Sequence, residues 1–228
     1  ALMNCDSAYF YQKENSFDAF SNIHVNQGDT IHMSSETMHY SGVSRELEAR
    51  GNVQFQDKTM SLETPSLVYN RKTGMASYFQ GGTIIDNENH LYSGVGVYNS
   101  NTKWFTFKDS VRLTSTKYSI KSDTLLYHIG NGIARFRGPS TIKSENGHIN
   151  CTYGDYDTEN EIAYFSKRSQ IYDGPRILIG DSVYYHRNEG VGDLYGNVYL
   201  ADTVQEYVIR GEHAYYQDNP EKALVTGN

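Results

Sequence analysis

The stretch that decides the fold is Leu178-Ile179-Gly180-Asp181-Ser182-Val183-Tyr184-Tyr185, because similar segments recur along the chain. A large apolar residue stands seven positions before its last tyrosine, a small residue five before, and an apolar residue or glycine two before. This tyrosine recurs at a constant interval, and the series comprises Tyr40, Tyr69, Tyr98, Tyr127, Tyr156 and Tyr185. A fixed period of this kind, here about 29 residues, is typical of repeat proteins whose units bury their apolar faces against neighbouring units.

The repeat predicts one domain over residues 1–228, made of about seven units of 29 residues. The composition, 38% hydrophobic with 20 tyrosines and 9 phenylalanines, is sufficient for a sizeable core. The first and last residues fall partway through a unit, so we expect the chain to be a fragment of a longer protein. A signal peptide, an anchor or a barrel could lie in the flanking sequence.

Short runs of alternating apolar and polar residues indicate β-strands, and no stretch sustains a helical period. Turn residues occur about twice per unit, which leaves two long runs that are each interrupted by a small residue. We predict that each run is one strand folded across a crease at that small residue. The expected fold is all-β: an antiparallel repeat meander folded into an elongated jelly roll, with two facing sheets and an open apolar trough.

The repeat also predicts which side chains line the interior. We expect the tyrosine series on the inner face near the strand ends, beside cross-strand aromatic neighbours. If the sheets pack tightly, the apolar positions form only a core; if they splay, these positions line a groove for an elongated apolar ligand. The candidate lipid-binding residues are Met33, Leu62, Leu91, Ile120, Ile149, Leu178 and Ile209 on one wall, with Phe55, Phe79, Phe107, Phe136 and Leu194 on the other.

Two short motifs carry a family resemblance. One is Gly51-Asn52-Val53-Gln54-Phe55, which returns as Gly196-Asn197-Val198-Tyr199-Leu200, and the other is an acidic residue four positions before a tyrosine, as at Asp181 and Tyr185. Over essentially the whole chain, this pattern resembles the OstA-like family, which includes LptA, LptC and the amino-terminal domain of LptD. The resemblance implies a twisted β-jelly roll that shields the acyl chains of lipopolysaccharide during transport to the outer membrane.

The same resemblance implies a location and partners. It places the protein in the periplasm, associated with the envelope of a Gram-negative bacterium. The implied partners are lipopolysaccharide or another acylated lipid, and homologous jelly-roll domains that pair through edge strands, with end-to-end self-association as a further possibility. A net charge of −7 and the lack of a Lys/Arg-rich patch argue against nucleic acid, and they offer no basic cluster to the phosphates of a lipid.

Spacing argues against a metal site and against a disulfide. Successive members of the set His32, His90 and His148 stand two units apart, roughly 20 Å in the stacked fold, whereas zinc needs ligand nitrogens at about 2 Å. Cys5 and Cys151 occupy the same small position five units apart, roughly 50 Å against the ~4.4–6.8 Å that a disulfide requires. We therefore predict outward-facing histidines, two free buried thiols, no metal and no cofactor.

Enzymatic activity has little support in the sequence. Asp155, Asp157, Glu159 and Glu161 crowd one segment, but they bracket a predicted turn and are typical of a solvated surface. No nucleophile motif or phosphate-binding loop is present, so we predict a protein that is not an enzyme. Two alternatives stay open: a polysaccharide-active enzyme built as a parallel β-helix, and a structural surface repeat protein with a closed core.

Overall fold

A computed structural model describes residues 2–28, 31–86, 89–145, 147–186, 188–217 and 222–227. These residues form nineteen β-strands, and their pairings are antiparallel. Among them, no helix is long and apolar enough to cross a membrane. The chain divides into two compact units, an amino-terminal unit, Ala1–Thr116, and a carboxy-terminal unit, Lys117–Asn228.

The amino-terminal unit contains eleven strands. They are β1 (Leu2–Asn4), β2 (Ser7–Tyr11), β3 (Ser16–Gln27), β4 (Ile31–Ser41), β5 (Glu46–Gln56), β6 (Ser61–Asn70), β7 (Met75–Tyr78), β8 (Gly82–Asp86), β9 (Asn89–Ser93), β10 (Val95–Asn99) and β11 (Trp104–Thr114). Strands β3 to β6 pair in sequence order. Three short pairs, β1–β2, β7–β8 and β9–β10, each act as one interrupted strand, because both members pair with a shared neighbour.

The carboxy-terminal unit is more regular. Its strands are β12 (Tyr118–His128), β13 (Ile133–Ser144), β14 (Gly147–Asp157), β15 (Ile162–Asp173), β16 (Arg176–His186), β17 (Val191–Asp202), β18 (Tyr207–Gln217) and β19 (Lys222–Thr226). Each strand pairs antiparallel with the next one along the chain. The structure therefore confirms the all-β antiparallel meander, and the alternative of a parallel β-helix is wrong.

Every long strand is bent near its middle, as the sequence predicted. Between β4 and β5, for example, the register shifts from the pair Ser34 and Gln54 to the pair Thr37 and Arg50. The bulged residues adopt the left-handed conformation, which bends and twists a strand sharply. The members of this positive-φ series follow one another at about the length of one sequence repeat. They are Asn22, Asn52, Gly81, Ser110, Gly138, Arg168, Asn197 and Gly227.

The two family motifs meet at this bend. Asn52 has a φ of 45°, and its amide Nδ2 donates a 2.7 Å hydrogen bond to Oε1 of Glu36 on the neighbouring strand. Asn197 and Asp181 repeat the contact at 2.7 Å. A Cβ atom on Gly51 would lie 2.5 Å from the Glu36 carboxylate, so only glycine fits beside the acid. Asparagine tolerates the left-handed conformation better than most residues, and the acidic partner fixes its side chain.

The small inward residues at the bend supply further hydrogen bonds. The Ser93 hydroxyl donates to the carbonyl of Val95, and the Ser122 hydroxyl donates to that of Thr124, both at 2.9 Å. These bonds satisfy buried backbone acceptors close to the register shift, where the ladder is interrupted. Cys151 occupies the same position in its repeat.

The prediction of one domain over residues 1–228 stays a prediction.

Candidate functional site

The bends divide the strands of each unit into two walls. Wall A is formed by the arms that carry the Met33 position of the repeat, and wall B by the arms that carry the Tyr40 position. Both walls bury the same side of their strands: in β5, Val53 on wall A and Ala49 on wall B are each 0% exposed. The walls of a unit therefore pack with their inner faces together along the bend. We call the side between their far ends the mouth.

Two side-chain interactions, one electrostatic and one direct, show the walls of the carboxy-terminal unit facing each other. Tyr118 and Tyr127 lie near opposite ends of β12, and a straight strand would separate them by about 30 Å. Burial raises the pKa of Tyr118, and so does its electrostatic interaction with Tyr127. The second contact joins Arg176 of β16 to Tyr216 of β18, whose hydroxyl accepts a hydrogen bond from the guanidinium. Both contacts span the space between the two walls.

The inner layer next to the bend is fully buried. Its members stand within a few residues of a register shift, and their burial accounts for much of the core. The large apolar residues of this bend layer that are less than 2% exposed are Phe136, Phe165, Ile23, Leu194, Val53, Val111 and Val183. Burying such a side chain contributes about 1.5–3 kcal/mol relative to leaving it in water. This layer is the source of the fold's stability.

Farther from the bend, the inward apolar side chains of wall A differ in burial: some are only half-buried, whereas Leu62, Leu91 and Ile120 are buried. They pair across the strands, so that Met33 lies opposite Phe55 and Ile149 opposite Ile171. The half-buried members of this mouth layer are Met33, Phe55, Leu113, Ile142, Ile149, Ile171 and Leu178. Apolar side chains that point inward and still contact solvent leave a strip of apolar surface on wall A of each unit.

Aromatic side chains line the corresponding part of wall B. Tyr40 stacks on Phe17 with the ring centroids 5.6 Å apart, and Tyr98 stacks on Phe105 at 4.4 Å. Both tyrosines are half-buried, as expected for rings on the inner face near the strand ends with hydroxyls close to water. Tyr69 is somewhat more open, at 37% exposed. The prediction for the tyrosine series is confirmed at Tyr40 and Tyr98.

The structure places most of the twelve candidate residues on the inner faces. Leu62, Leu91 and Ile120 of wall A are buried, as are Phe107, Phe136 and Leu194 of wall B. Met33, Phe55, Ile149 and Leu178 are half-buried in the mouth layer. Six of the twelve are thus buried and four are half-buried, whereas their role in lining a lipid-binding trough stays a prediction.

Phe79 does not lie inside, so its placement was wrong. It is 61% exposed and falls in the break between β7 and β8. The inward residue is Tyr78, which is 3% exposed and shares a 2.7 Å hydrogen bond with the hydroxyl of Ser93. Burial raises the pKa of Tyr78. Tyr78 stands one full repeat before Phe107, so the repeat period predicts Tyr78 as the inward residue.

Two further expectations need correction. Phe55 belongs to wall A, because it pairs directly with Met33 and Leu62, and its expected place on the wall opposite them was wrong. Ile209 is 37% exposed, since β19 pairs with β18 only at residues 213–217 and leaves the Ile209 arm with one described neighbour. For Phe55, the repeat position was correct and the side of the bend was wrong. For Ile209, the repeat position was correct, but full cover by a neighbouring strand was wrongly expected.

One column of inward residues was missed apart from Phe55. These residues follow the bend on wall A and pair with the Met33 column, for example Leu200 with Leu178 and Leu113 with Leu91. The missed column comprises Ile84, Leu113, Ile142, Ile171 and Leu200. Their constant spacing of one repeat was available in the sequence. The tyrosine series is the more conspicuous of the two because its residue type is constant.

The structure shows how exposed the cysteines and two of the three spaced histidines are. Cys5 and Cys151 are free thiols; Cys151 is buried as predicted, whereas Cys5 is only half-buried. Burial raises the pKa of the Cys151 thiol to about 11. His32 and His90 are exposed. In the part of the chain that the structure describes, no group of three or more His, Cys, Asp or Glu side chains is arranged to hold a metal ion.

The acidic segment has structural partners. Asp155 forms an ion pair with Arg137 at 2.8 Å. Asp157 accepts hydrogen bonds from the backbone of Asn160 and Glu159, and these bonds, led by that from Asn160, lower its pKa. These contacts are those of a surface ion pair and of a capped turn. They assign no catalytic role to either carboxylate.

Comparisons with known proteins give the following matches. A family model described as OstA-like protein matches residues 1–123. Among solved structures, one match is LptH, described as the LptA homologous periplasmic component of the conserved lipopolysaccharide transport device from Pseudomonas aeruginosa. The identity to LptH is 8% and the TM-score 0.39, and the match covers 42% of this chain and 74% of that chain. No curated protein matches the sequence.

Proposed function

This chain belongs to the OstA-like family, and we propose that it is a non-enzymatic periplasmic protein that shields the acyl chains of lipopolysaccharide on their way to the outer membrane. The acyl chains occupy the space between wall A and wall B, and the twelve candidate residues, Phe79 excepted, contribute its lining. Other acylated lipids with the same chemistry fit the same interior.

The half-buried mouth layer is the observation that carries this proposal. The bend layer already provides a closed core, so residues such as Ile149 and Leu178 are not needed to fill it. Their apolar surface nevertheless points inward and stays in contact with solvent. An acyl chain laid along this surface would remove it from water, at about 25 cal/mol per Å². A closed structural repeat would bury this layer as fully as the layer at the bend.

The position of the head group follows from the charges. The described basic side chains do not form a cluster on the inner faces, and the net charge of the chain is −7. The ion pairs that are described, such as that of Arg137 with Asp155, lie on outward positions of the strands. The phosphates and sugars of the lipid therefore stay outside the mouth in solvent, and recognition depends on the acyl chains.

Open strand edges provide the means of assembly with partners. Unpaired backbone groups along such an edge can accept a strand from another sheet. Homologous jelly-roll domains, or a second copy of this protein, are the proposed partners at these edges.

Photocrosslinking tests the interior route. A photoreactive residue is placed at Ile149 or, as a matched control, at Asn150, which is adjacent on β14 and faces the other side. We expect lipopolysaccharide to be labelled from Ile149 and not from Asn150. Equal labelling from both positions, or labelling from Asn150 alone, contradicts an interior route.

A second measurement separates transport from the structural alternative with a closed core. A polyene fatty acid whose fluorescence rises in an apolar environment serves as the probe. We expect saturable uptake by this protein and competition by lipopolysaccharide. Absence of uptake would favour a closed structural repeat.

A further inference from the structure

A side-chain bridge crosses the mouth of the carboxy-terminal unit. Arg176 begins β16 on wall A, and Tyr216 lies near the end of β18 on wall B, with β17 between them. The guanidinium donates a hydrogen bond to the Tyr216 hydroxyl. Its central carbon also lies 5.4 Å from the centre of the tyrosine ring, within the range of a cation–π contact. Two different interactions thus hold the ends of the walls together at this place.

Two residues of β17 near the bridge are more buried than their equivalents in the preceding repeats, whereas Leu178, opposite Leu200, is half-buried. Leu200 is 5% exposed, whereas Ile171 and Ile142, one and two repeats earlier, are only half-buried. Asp202, directly opposite Arg176 in the register, is 5% exposed, whereas Asp173 occupies the same position one repeat earlier and is exposed. On β17, therefore, the inner face is less exposed to solvent near the bridge than at the same positions of the preceding repeats.

We propose that Arg176 and Tyr216 form a latch over Leu200, and that an acyl chain occupies this end of the unit only when the latch opens. This inference rests on the proposed function, since it concerns the same interior. The closed latch limits the apparent affinity for acyl chains by the fraction of molecules that are open. The preceding strands, around Ile149 and Ile171, are accessible without it. Entry into the carboxy-terminal unit thus begins at the strands that precede β17.

The test compares labelling at two positions of the same unit. A photoreactive residue is placed at Leu200 beneath the latch or at Ile149 outside it, and the protein is exposed to the polyene fatty acid. In the Arg176→Ala variant, we expect labelling from Leu200 to rise about tenfold, the size expected for the loss of a partly desolvated cation–π contact. Labelling from Ile149 should change by less than about twofold.

A second arginine–tyrosine pair provides the matched control. Arg210 lies over the ring of Tyr199 at 5.6 Å, on outward positions of β17 and β18. Arg210→Ala removes a contact of the same kind without opening the mouth, so labelling from Leu200 should not change. Tyr216→Phe keeps the ring and removes only the hydrogen bond, and an intermediate rise is expected.

A cross-linked variant tests the latch without a photoreactive residue in the core. Cysteines replace Arg176 and Tyr216 in a Cys5→Ser, Cys151→Ser background, and a short bis-maleimide joins them. Fatty-acid uptake should be higher before cross-linking than after it. Unchanged labelling from Leu200 in Arg176→Ala together with unchanged uptake after cross-linking overturns the latch, while labelling from Ile149 still supports the proposed function. No labelling from either position in any variant overturns both.

Discussion

The bend layer and the mouth layer come from the same strands, yet they differ sharply in burial. In β13, Phe136 next to the bend is 1% exposed, whereas Ile142 on the other arm is half-buried, although both are large apolar residues that point inward. The walls converge at the bend, so side chains there touch both walls. Farther from the bend, side chains such as Ile142 and Ile171 keep part of their surface in contact with solvent.

This difference separates stability from function within one repeat. Side chains of the bend layer hold the two arms together, and the fold depends on them. Side chains of the mouth layer contribute less to folding because part of their surface stays in water. That remaining surface is what the protein offers to an acyl chain. Substitutions in the two layers should therefore act on different measurements.

The largest effect is expected for Phe136→Ala. Removing a fully buried ring leaves a cavity in the bend layer, and such changes cost about 3–5 kcal/mol of unfolding free energy. Urea unfolding followed by circular dichroism measures the loss. Phe79→Ala is the matched control, since Phe79 is 61% exposed and its truncation should change the free energy by less than about 0.5 kcal/mol. Similar losses for both variants would contradict the division into layers.

Cys151 allows the bend layer to be probed by pH. The pKa of its thiol is about 11 when folded, against 9.0 for a solvated thiol, because burial disfavours the thiolate. The folded state therefore holds this proton more tightly. The resulting stability is fully present below about pH 9 and is lost as the pH rises through about 11.

The measurement is the unfolding free energy at pH 8 and at pH 11. The wild-type protein should lose on the order of 2 kcal/mol more than Cys151→Ser over this range. Serine occupies the same position in other repeats, which makes this substitution mild. Cys5→Ser serves as the control and should follow the wild-type curve. An identical loss in all three proteins would show that Cys151 is accessible to solvent.

The bend itself is tested at Asn52. Asn52→Ala forces alanine into the left-handed conformation and removes the hydrogen bond to Glu36, at a cost of about 1–2 kcal/mol. Asn52→Gly removes the same hydrogen bond but accepts the backbone conformation, so it should recover part of the loss, as urea unfolding would show. If both variants are equally destabilised, the backbone conformation contributes little and the Glu36 contact accounts for the motif.

The smallest change in stability is expected in the mouth layer. Leu178→Asn replaces a half-buried apolar side chain and should cost about 1 kcal/mol of unfolding free energy. Its affinity for the fluorescent fatty acid should nevertheless fall several-fold, because the lost surface belongs to the ligand site. The neighbouring outward residue supplies the control, Ile177→Asn, which should leave the affinity unchanged. A fall in affinity for Ile177→Asn alone would place the site on the outer face.

Periodicity was sufficient to predict a large part of this architecture. The inward column that contains Leu62, Leu91 and Ile120 was identified from one repeated spacing, and so was the bend at the small residues. The failures have a common origin. At Phe79 the strand is interrupted, so alternation no longer tells which of two adjacent aromatic residues points inward. The repeat period, counted from Phe107, selects Tyr78 as the inward residue.

The amino-acid sequence by itself determined the repeat, the strands and the bend, because these depend on the period of side chains and on the few residues that tolerate a left-handed backbone. Only the tertiary structure decided which side chains meet across the two walls, as in the bridge between Arg176 and Tyr216. Such contacts depend on the angle between two walls. That angle is set by packing summed over many strands, and no short segment encodes it.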